Sequence, residues 1–146
     1  MKVIPIDNTN RGFYRKFENC KDLSLYMSRI YPDCESSYLK WMYIEEDERY
    51  IGSIWLEGND ILLVKMGIFI AEPAYRDKGI GRQAIQQMIT LAESDGVHVI
   101  TLNVRAENVR AEKVYIDCGF KIKKRFTKKN GIDALTMELE INYEDL

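Results

Sequence analysis

Residues 66–82 read MGIFIAEPAYRDKGIGR, and the interpretation of the whole chain starts from this stretch. Met66 to Ala71 is an apolar run bounded by Glu72 and Pro73, which predicts a buried strand. Beyond the glycines, apolar residues recur at helical spacing, which predicts a helix with one apolar face. They are Ile80, Ala84, Ile85, Met88, Ile89 and Ala92. The stretch therefore predicts a strand, a glycine loop and a helix in succession.

The glycine loop has the features of an anion site. The start of a helix leaves several backbone N–H groups without partners inside the helix, and these groups attract anions. Gly79 and Gly81 have no Cβ, so a ligand can lie directly on the backbone. The predicted pyrophosphate-binding residues are Arg76, Asp77, Lys78, Gly79, Ile80, Gly81 and Arg82. Taken alone, the two glycines fit a plain strand–helix turn equally well.

Two common phosphate-binding motifs do not occur here: there is no G-x-x-x-x-G-K-[ST], and G-x-G-x-x-G would need a glycine where Ala84 stands. Instead, Arg-x-x-Gly-x-Gly after an apolar strand resembles the acetyl-CoA-binding signature of the GCN5-related N-acetyltransferase (GNAT) superfamily. Residues 108–120, NVRAEKVYIDCGF, resemble that family's second signature, an Asn and Ala followed by Tyr and Gly-Phe. Together the two signatures cover roughly residues 61–139.

The resemblance implies an acetyl-CoA-dependent N-acetyltransferase that needs no metal. It implies that the strand before the loop splays from its neighbour, so that the pantetheine arm pairs with Ile68, Phe69 and Ile70. One of these N–H groups would polarise the thioester carbonyl. The resemblance also makes Asn108 and Ala111 cofactor-binding residues, while a helix N-cap is an equally open role for Asn108.

Tyr115 is the residue for which we predict a catalytic role. The resemblance makes it the general acid, and a phenol with a pKa of ~10 can protonate a departing thiolate whose thiol has a pKa of ~8.5. The alternative is a ring packed in the core, with its hydroxyl on a backbone group. The glutamate that some family members use as a base would fall on Val64, so the base is left unassigned.

The order of elements predicts a mixed α/β fold. Seven strands and four helices follow in the order β-α-α-β-β-β-α-β-α-β-β, the layout of the acyl-CoA N-acyltransferase fold with its mostly antiparallel sheet. Two short helices are predicted between Arg11 and Ile30, and Glu45 to Arg49 is predicted as a charged hairpin connection. We expect residues 1–146 to form a single GNAT-like domain.

Composition narrows the range of functions. The net charge of −2 argues against general nucleic-acid binding, and three cysteines without C-x-x-C indicate neither a disulfide framework nor a zinc site. The sequence has no apolar run long enough for a membrane span, and a cytoplasmic protein is expected. Six basic residues on the last hairpin are interpreted as a solvated face: Lys121, Lys123, Lys124, Arg125, Lys128 and Lys129.

The expected acceptor is a primary amine, either a small molecule or a peptide or protein amine. In the family the wall of the acceptor site falls on Tyr31 to Ser37, where Asp33 and Glu35 could meet a cationic amine. Because members of the family often dimerise, the resemblance also implies a homodimer as a possible assembly. Two rival functions stay open: a non-catalytic acyl-CoA-binding module on the same fold, and an RNA- or protein-binding domain that uses the basic hairpin.

Overall fold

The computed structural model of the chain describes residues 1–143, and one seven-stranded sheet runs through them in the order β1-β2-β3-β4-β5-β7-β6. The strands are β1 (Lys2–Pro5), β2 (Tyr38–Glu46), β3 (Arg49–Gly58), β4 (Leu63–Ile70), β5 (Val99–Arg105), β6 (Lys121–Thr127) and β7 (Asp133–Glu140). The helices are α1 (Ile80–Ser94) and α2 (Val109–Asp117), with 3₁₀-helices at Arg11–Asn19, Lys21–Leu25 and Pro73–Tyr75. The predicted mixed α/β class with a mostly antiparallel sheet is confirmed.

The two early helices differ from the prediction in type. Both form, but as 3₁₀-helices, and residues 26–30 are not helical. A 3₁₀ run as long as Arg11–Asn19 is uncommon, because its hydrogen-bond geometry is poorer than that of an α-helix. Tyr14 and Phe17 on this segment are buried and meet edge to face at 5.0 Å. Packing of these rings on the sheet, rather than helix propensity, therefore holds the segment in place.

The connection between β2 and β3 is shorter than predicted. The strands extend to Glu46 and Arg49, which leaves only Asp47 and Glu48 in the turn. Both turn residues have positive φ, 51° and 61°. Two-residue turns of this kind match the twist of a hairpin, and Asp tolerates the left-handed region better than most residues do.

Alternation along the strands gives the sheet two different faces. Val64, Met66 and Leu102 pack against α1 on one face, which we call the helical face. Trp55 and Phe69 pack with the rings of the early 3₁₀-helices on the other, which we call the aromatic face. Because side chains alternate along a strand, Lys65 and Gly67 belong to the aromatic face as well.

The sheet opens between β4 and β5. These strands pair in parallel only at Leu63–Val99, Val64–Ile100 and Lys65–Thr101. Beyond that point β4 continues to pair with β3 as far as Ile70, while β5 continues to pair with β7 as far as Arg105. The strands therefore part in the middle of the sheet, and we call the resulting gap the β4–β5 opening.

Candidate functional site

The β4–β5 opening leads into a cleft of about 300 Å³. Residues of β4, β5, α1 and α2 line it, together with the irregular segment 26–29. Seven of the residues predicted from the sequence lie on its wall: Ile68, Phe69, Ile70, Gly81, Asn108, Ala111 and Tyr115. The fold thus brings the two sequence signatures together, although about 30 residues separate them along the chain.

The edge of β4 that faces the opening carries backbone groups with no strand beside them. Ala71 donates its N–H to the Ile51 carbonyl at 2.7 Å, so the alternation of an antiparallel ladder directs the N–H of Phe69 toward β3. The N–H groups of Ile68 and Ile70 then point into the opening. An extended ligand can pair with these two residues as an added strand would.

The first turn of α1 also offers unpaired donors. Gly79 precedes the helix with φ +81°, and no side chain caps it. The first helical bond runs from Gln83 to the Gly79 carbonyl at 3.1 Å, which leaves the N–H groups of Ile80, Gly81 and Arg82 without helical partners. A Cβ at Gly79 would meet nothing within 4 Å, and one at Gly81 would meet only the Ile68 side chain at 3.9 Å. The site is open and suited to an anion.

Arg76, which was predicted to add positive charge to the anion site, is hydrogen-bonded to the end of β4 and to the second 3₁₀-helix. Its Nε donates to the Ile70 carbonyl at 2.8 Å, and Nη1 donates to Asp22 at 2.5 Å. The hydrogen bond from Arg76 lowers the pKa of the partly exposed Asp22 carboxyl. Because its guanidinium is committed to the end of β4, Arg76 fastens the glycine loop rather than adding charge to the anion site.

Two other charged residues, Asp77 in the loop and Arg82 in the first turn of α1, pair with residues of α2. Asp77 accepts a hydrogen bond from Arg110, and Arg82 pairs with Asp117 at 2.6 Å. Lys78 is exposed and forms no ion pair within residues 1–143. Of the three predicted cations, Lys78 is therefore the one whose charge is not matched by a carboxylate of the described chain.

Tyr115 places its ring in the wall of the cleft. The ring meets Phe120 edge-on, with centroids 5.7 Å apart. The hydroxyl makes no hydrogen bond to any other residue that the structure describes, so the alternative of a hydroxyl satisfied by a backbone group does not hold. Burial, with a smaller contribution from Cys118, raises the pKa of Tyr115. The side chain is thus a neutral phenol that keeps its proton.

Asn108 caps α2, and the cap is compatible with a place on the cleft. Its side-chain oxygen accepts from the Ala111 N–H at 3.3 Å. The capping role that the sequence left open is therefore present, while Asn108 and Ala111 both remain on the cleft wall.

Glu57, near the end of β3, is a buried carboxylate. It is only 6% exposed, and both of its carboxylate oxygens accept from Arg29, one of them at 3.1 Å. The backbone N–H of Asp33 also donates to it. Both oxygens of this carboxylate are therefore engaged by donors of the described chain.

Four basic side chains line the cleft: Arg29, Lys65, Arg105 and Lys128. Lys128 was interpreted from the sequence as part of a solvated face, and Arg29, Lys65 and Arg105 were not singled out. Arg105 donates to the carbonyls of Ser24 and Leu25, which attaches the early segment to the end of β5. The position of Lys65 within the otherwise apolar strand β4 was the one sequence feature that could have indicated it. The other three come from distant segments and are brought together only by the fold.

The wall of the acceptor site was expected at residues 31–37, but a different segment lines the cleft. Residues 26–29 line the cleft, whereas Asp33 and Glu35 do not. Asp33 accepts from the Glu35 N–H at 3.0 Å in a local turn. The sequence placed the wall a few residues too late because the second 3₁₀-helix ends at Leu25, so the chain crosses the opening earlier.

Two further polar side chains, Glu72 and His98, do not line the cleft. Glu72 pairs with Arg49 at 2.7 Å, and His98 is exposed with its ring near Tyr143. Within residues 1–143 there is no group of His, Cys, Asp and Glu side chains that could hold a metal ion. Neither is any helix of that range long and apolar enough to cross a lipid bilayer.

Comparison with protein families gives a match over most of the chain. A family model described as "Acetyltransferase (GNAT) domain" matches residues 8–141. Among curated proteins, N-alpha-acetyltransferase RimI of Mycobacterium tuberculosis is 33% identical over 69 residues, which are 45% of this chain and 42% of that protein. The matched segments thus cover less than half of the length of the curated relatives.

Solved structures show the same fold at low identity. A spermidine N-acetyltransferase from Vibrio cholerae in complex with CoA and spermine superposes with a TM-score of 0.76 at 18% identity, over 95% of this chain and 94% of that one. A putative acetyltransferase from Salmonella typhimurium with acetyl-CoA gives 0.76 at 17%, over 99% and 95%. An aminoglycoside acetyltransferase with coenzyme A and kanamycin gives 0.77 at 15%, over 95% of each chain.

Proposed function

Because the chain belongs to the acetyltransferase (GNAT) domain family, we propose that it transfers an acetyl group from acetyl-CoA to a primary amine. The observation that carries the proposal is the β4–β5 opening, whose free strand edge lies beside the uncapped start of α1. The residues fit such a donor: bare N–H groups and glycines suit its diphosphate, and the edge of β4 suits its extended arm. The structural neighbours with CoA or acetyl-CoA support the same reading.

We propose direct attack in a ternary complex. Acetyl-CoA supplies a thioester, in which the C–S bond breaks as the bond from the amine nitrogen to the acetyl carbon forms. Ile68 or Ile70 would donate its backbone N–H to the carbonyl oxygen as negative charge develops there. A donor of this kind is typically worth about 2.7–4 kcal/mol. Phe69 would not share this role, because its N–H is directed toward β3.

Tyr115 is the proposed general acid. Its hydroxyl lies in the cleft wall without a hydrogen-bond partner in the described chain, and burial keeps it protonated. It would give its proton to the sulfur as the thiolate departs. Val64 is fully buried and apolar where other family members carry a glutamate, so the proton that the amine loses has no assigned acceptor.

The remaining cofactor contacts follow from position. Asn108 and Ala111, at the start of α2, would contact the pantetheine arm across the cleft from Ile68. Lys78 and Arg82, on the loop and the first turn of α1, would lie beside the diphosphate. Arg76 would act on the donor only through the loop that it fastens.

We further propose that residues 1–146 form one domain and that it acts in the cytoplasm. Cys20, Cys34 and Cys118 are free thiols, which supports a reducing compartment. Homodimerisation stays a proposal, to be tested by light scattering on the purified protein.

The test is calorimetry with CoA, followed by an assay of free thiol release from acetyl-CoA over a panel of amines. We expect CoA to bind and thiol to appear only when a suitable amine is present. Binding of CoA without release for any amine would favour the non-catalytic acyl-CoA-binding alternative. A failure to bind CoA would remove the proposed activity altogether.

A further inference from the structure

The two faces of the sheet carry different charges at the β4–β5 opening. The uncapped terminus of α1 lies on the helical face, where Ile80 and Ile85 pack against Val64 and Met66. Lys65 belongs to the aromatic face, because it alternates with Val64 and Met66 along β4. Arg105 alternates with Leu102 and Val104 along β5 and lies on the aromatic face as well. If the acyl donor occupies the helical side, the aromatic side is left for the acceptor.

The aromatic side of the cleft is cationic. Arg29, Lys65, Arg105 and Lys128 line the cleft, and Glu57 is the carboxylate whose charge opposes theirs at Lys65. Glu57 is already engaged by Arg29 at the buried end of β3. Lys65, Arg105 and Lys128 form no ion pair within residues 1–143. This wall therefore carries a positive charge that the described chain does not neutralise.

The state of Lys65 shows that these charges act on one another. Partial burial of its ammonium lowers the pKa of Lys65, and the charges of Arg29 and Lys128 lower it further, against an opposing effect of Glu57. Such repulsion is relieved when an anion binds between the cations. Arg105 is held in place by the carbonyls of Ser24 and Leu25, so its charge is fixed at the end of β5.

A polycationic acceptor would be repelled by this wall. Spermine, bound by one of the structural neighbours, is a polycation at neutral pH. The residues expected to meet a cationic amine here, Asp33 and Glu35, do not line the cleft. Like charges placed together at a binding site cost affinity, so the wall selects against such amines.

We propose that the acceptor is a small primary amine that also carries an anionic group, a carboxylate or a phosphate, which Lys65 and Lys128 bind on the aromatic side of the cleft. This inference rests on the proposed acetyltransferase function and names its substrate class. The anionic group would sit among the cations, while the amine would reach the β4–β5 opening. The preference would then appear in KM more than in kcat, because the contact is made equally before and during the reaction.

The test compares amines that differ only in the anionic group. L-Ornithine is assayed against putrescine for the carboxylate, and phosphoethanolamine against ethanolamine for the phosphate, by thiol release from acetyl-CoA. We expect at least one anionic member to have a kcat/KM about tenfold or more above its partner, mainly through KM. The two pairs distinguish a carboxylate from a phosphate. Equal or better use of putrescine and ethanolamine would overturn the inference and leave the transferase standing.

Variants test the residues themselves. We expect Lys65→Gln and Lys128→Gln each to reduce the preference for the anionic amine about fivefold, and Lys65→Glu to reverse it. Lys129→Gln is the matched control, since Lys129 is the exposed neighbour of Lys128 and does not line the cleft. A preference that survives Lys65→Glu, or that falls equally in Lys129→Gln, would contradict the assignment.

A binding measurement separates the two possible failures. Ornithine and phosphoethanolamine, and their cationic partners putrescine and ethanolamine, are titrated calorimetrically into the CoA-loaded protein. Tighter binding of an anionic member supports the inference even where turnover is slow. No such difference in protein that binds CoA would refute the inference alone, whereas protein that does not bind CoA would refute the transferase and the inference together.

Discussion

Arg76 donates from Nε to the carbonyl oxygen of Ile70 at 2.8 Å, and this bond ties the glycine loop to the last residue of β4. The same guanidinium reaches Asp22 on the second 3₁₀-helix. Three segments that are separate along the chain therefore meet at one side chain, which is three-quarters buried. Arg76 therefore matters more for the position of the glycine loop than for the charge of the anion site.

Arg76→Ala should loosen the loop and weaken CoA binding indirectly. The variant loses hydrogen bonds from a charged group, so we expect the free energy of unfolding to fall by about 1.5–3 kcal/mol in urea denaturation. Arg49→Ala is the control, because the Arg49–Glu72 pair is exposed and worth under about 1 kcal/mol. Equal stability losses in the two variants would contradict a fastening role for Arg76.

A comparison of Gly79→Ala with Gly131→Ala should separate the effect of backbone strain on stability from the effect on CoA binding. Gly79 and Gly131 have nearly the same φ, +81° and +84°, and a Cβ would meet nothing within 4 Å at either position. Each alanine variant should therefore lose about 1–2 kcal/mol of stability from the left-handed backbone alone. Only Gly79→Ala should weaken CoA binding by calorimetry. If Gly131→Ala weakens it as much, the loss reflects general stability rather than the anion site.

Tyr115→Phe should retain CoA affinity and lose most of the turnover. The hydroxyl forms no hydrogen bond to the described residues, so its removal should leave the melting temperature within about 1–2 °C of the unmodified protein. Loss of a general acid typically costs about 10²–10⁴-fold in rate. Tyr75→Phe serves as the control, since its hydroxyl bonds to Asp47 on the surface. Equal kcat for Tyr115→Phe and the unmodified enzyme would remove the assigned role.

The pH profile should lack a descending limb that belongs to Tyr115. Burial raises its pKa above the ordinary value of ~10, so the phenol keeps its proton throughout the range in which the protein is assayed. Activity should rise with pH as the acceptor amine loses its proton. At pH values up to about 10, ionisation of Tyr115 should cause no decrease in activity. A kcat that declines with an apparent pKa near 8–9 in the unmodified enzyme, but not in Tyr115→Phe, would refute this.

The features that the sequence predicted well are local ones. The glycine loop, the apolar stripe of α1 and the cap at Asn108 each depend on residues within one or two helical turns, so spacing alone indicates them. The order of elements read from the sequence, which is also the layout of the GNAT family, is confirmed by the structure, with the two early helices as 3₁₀-helices.

The features that it missed depend on distant segments. The direction of the Arg76 side chain is set by Asp22 and by the end of β4, and neither can be located from the sequence around Arg76. The sequence around Glu57 does not indicate its ion pair, because its partner, Arg29, lies 28 residues away. The four basic residues of the cleft also come from segments that are distant along the chain, so no local sequence pattern predicts that they lie together.

A gap between two strands differs from a pocket on a surface because it passes through the sheet from one face to the other. At the β4–β5 opening, the start of α1 lies on the helical face and Lys65 lies on the aromatic face. Two reactants that enter from opposite mouths do not block each other's way in or out. In the proposed transferase, either product would then be able to leave first, and affinity would set the order of release.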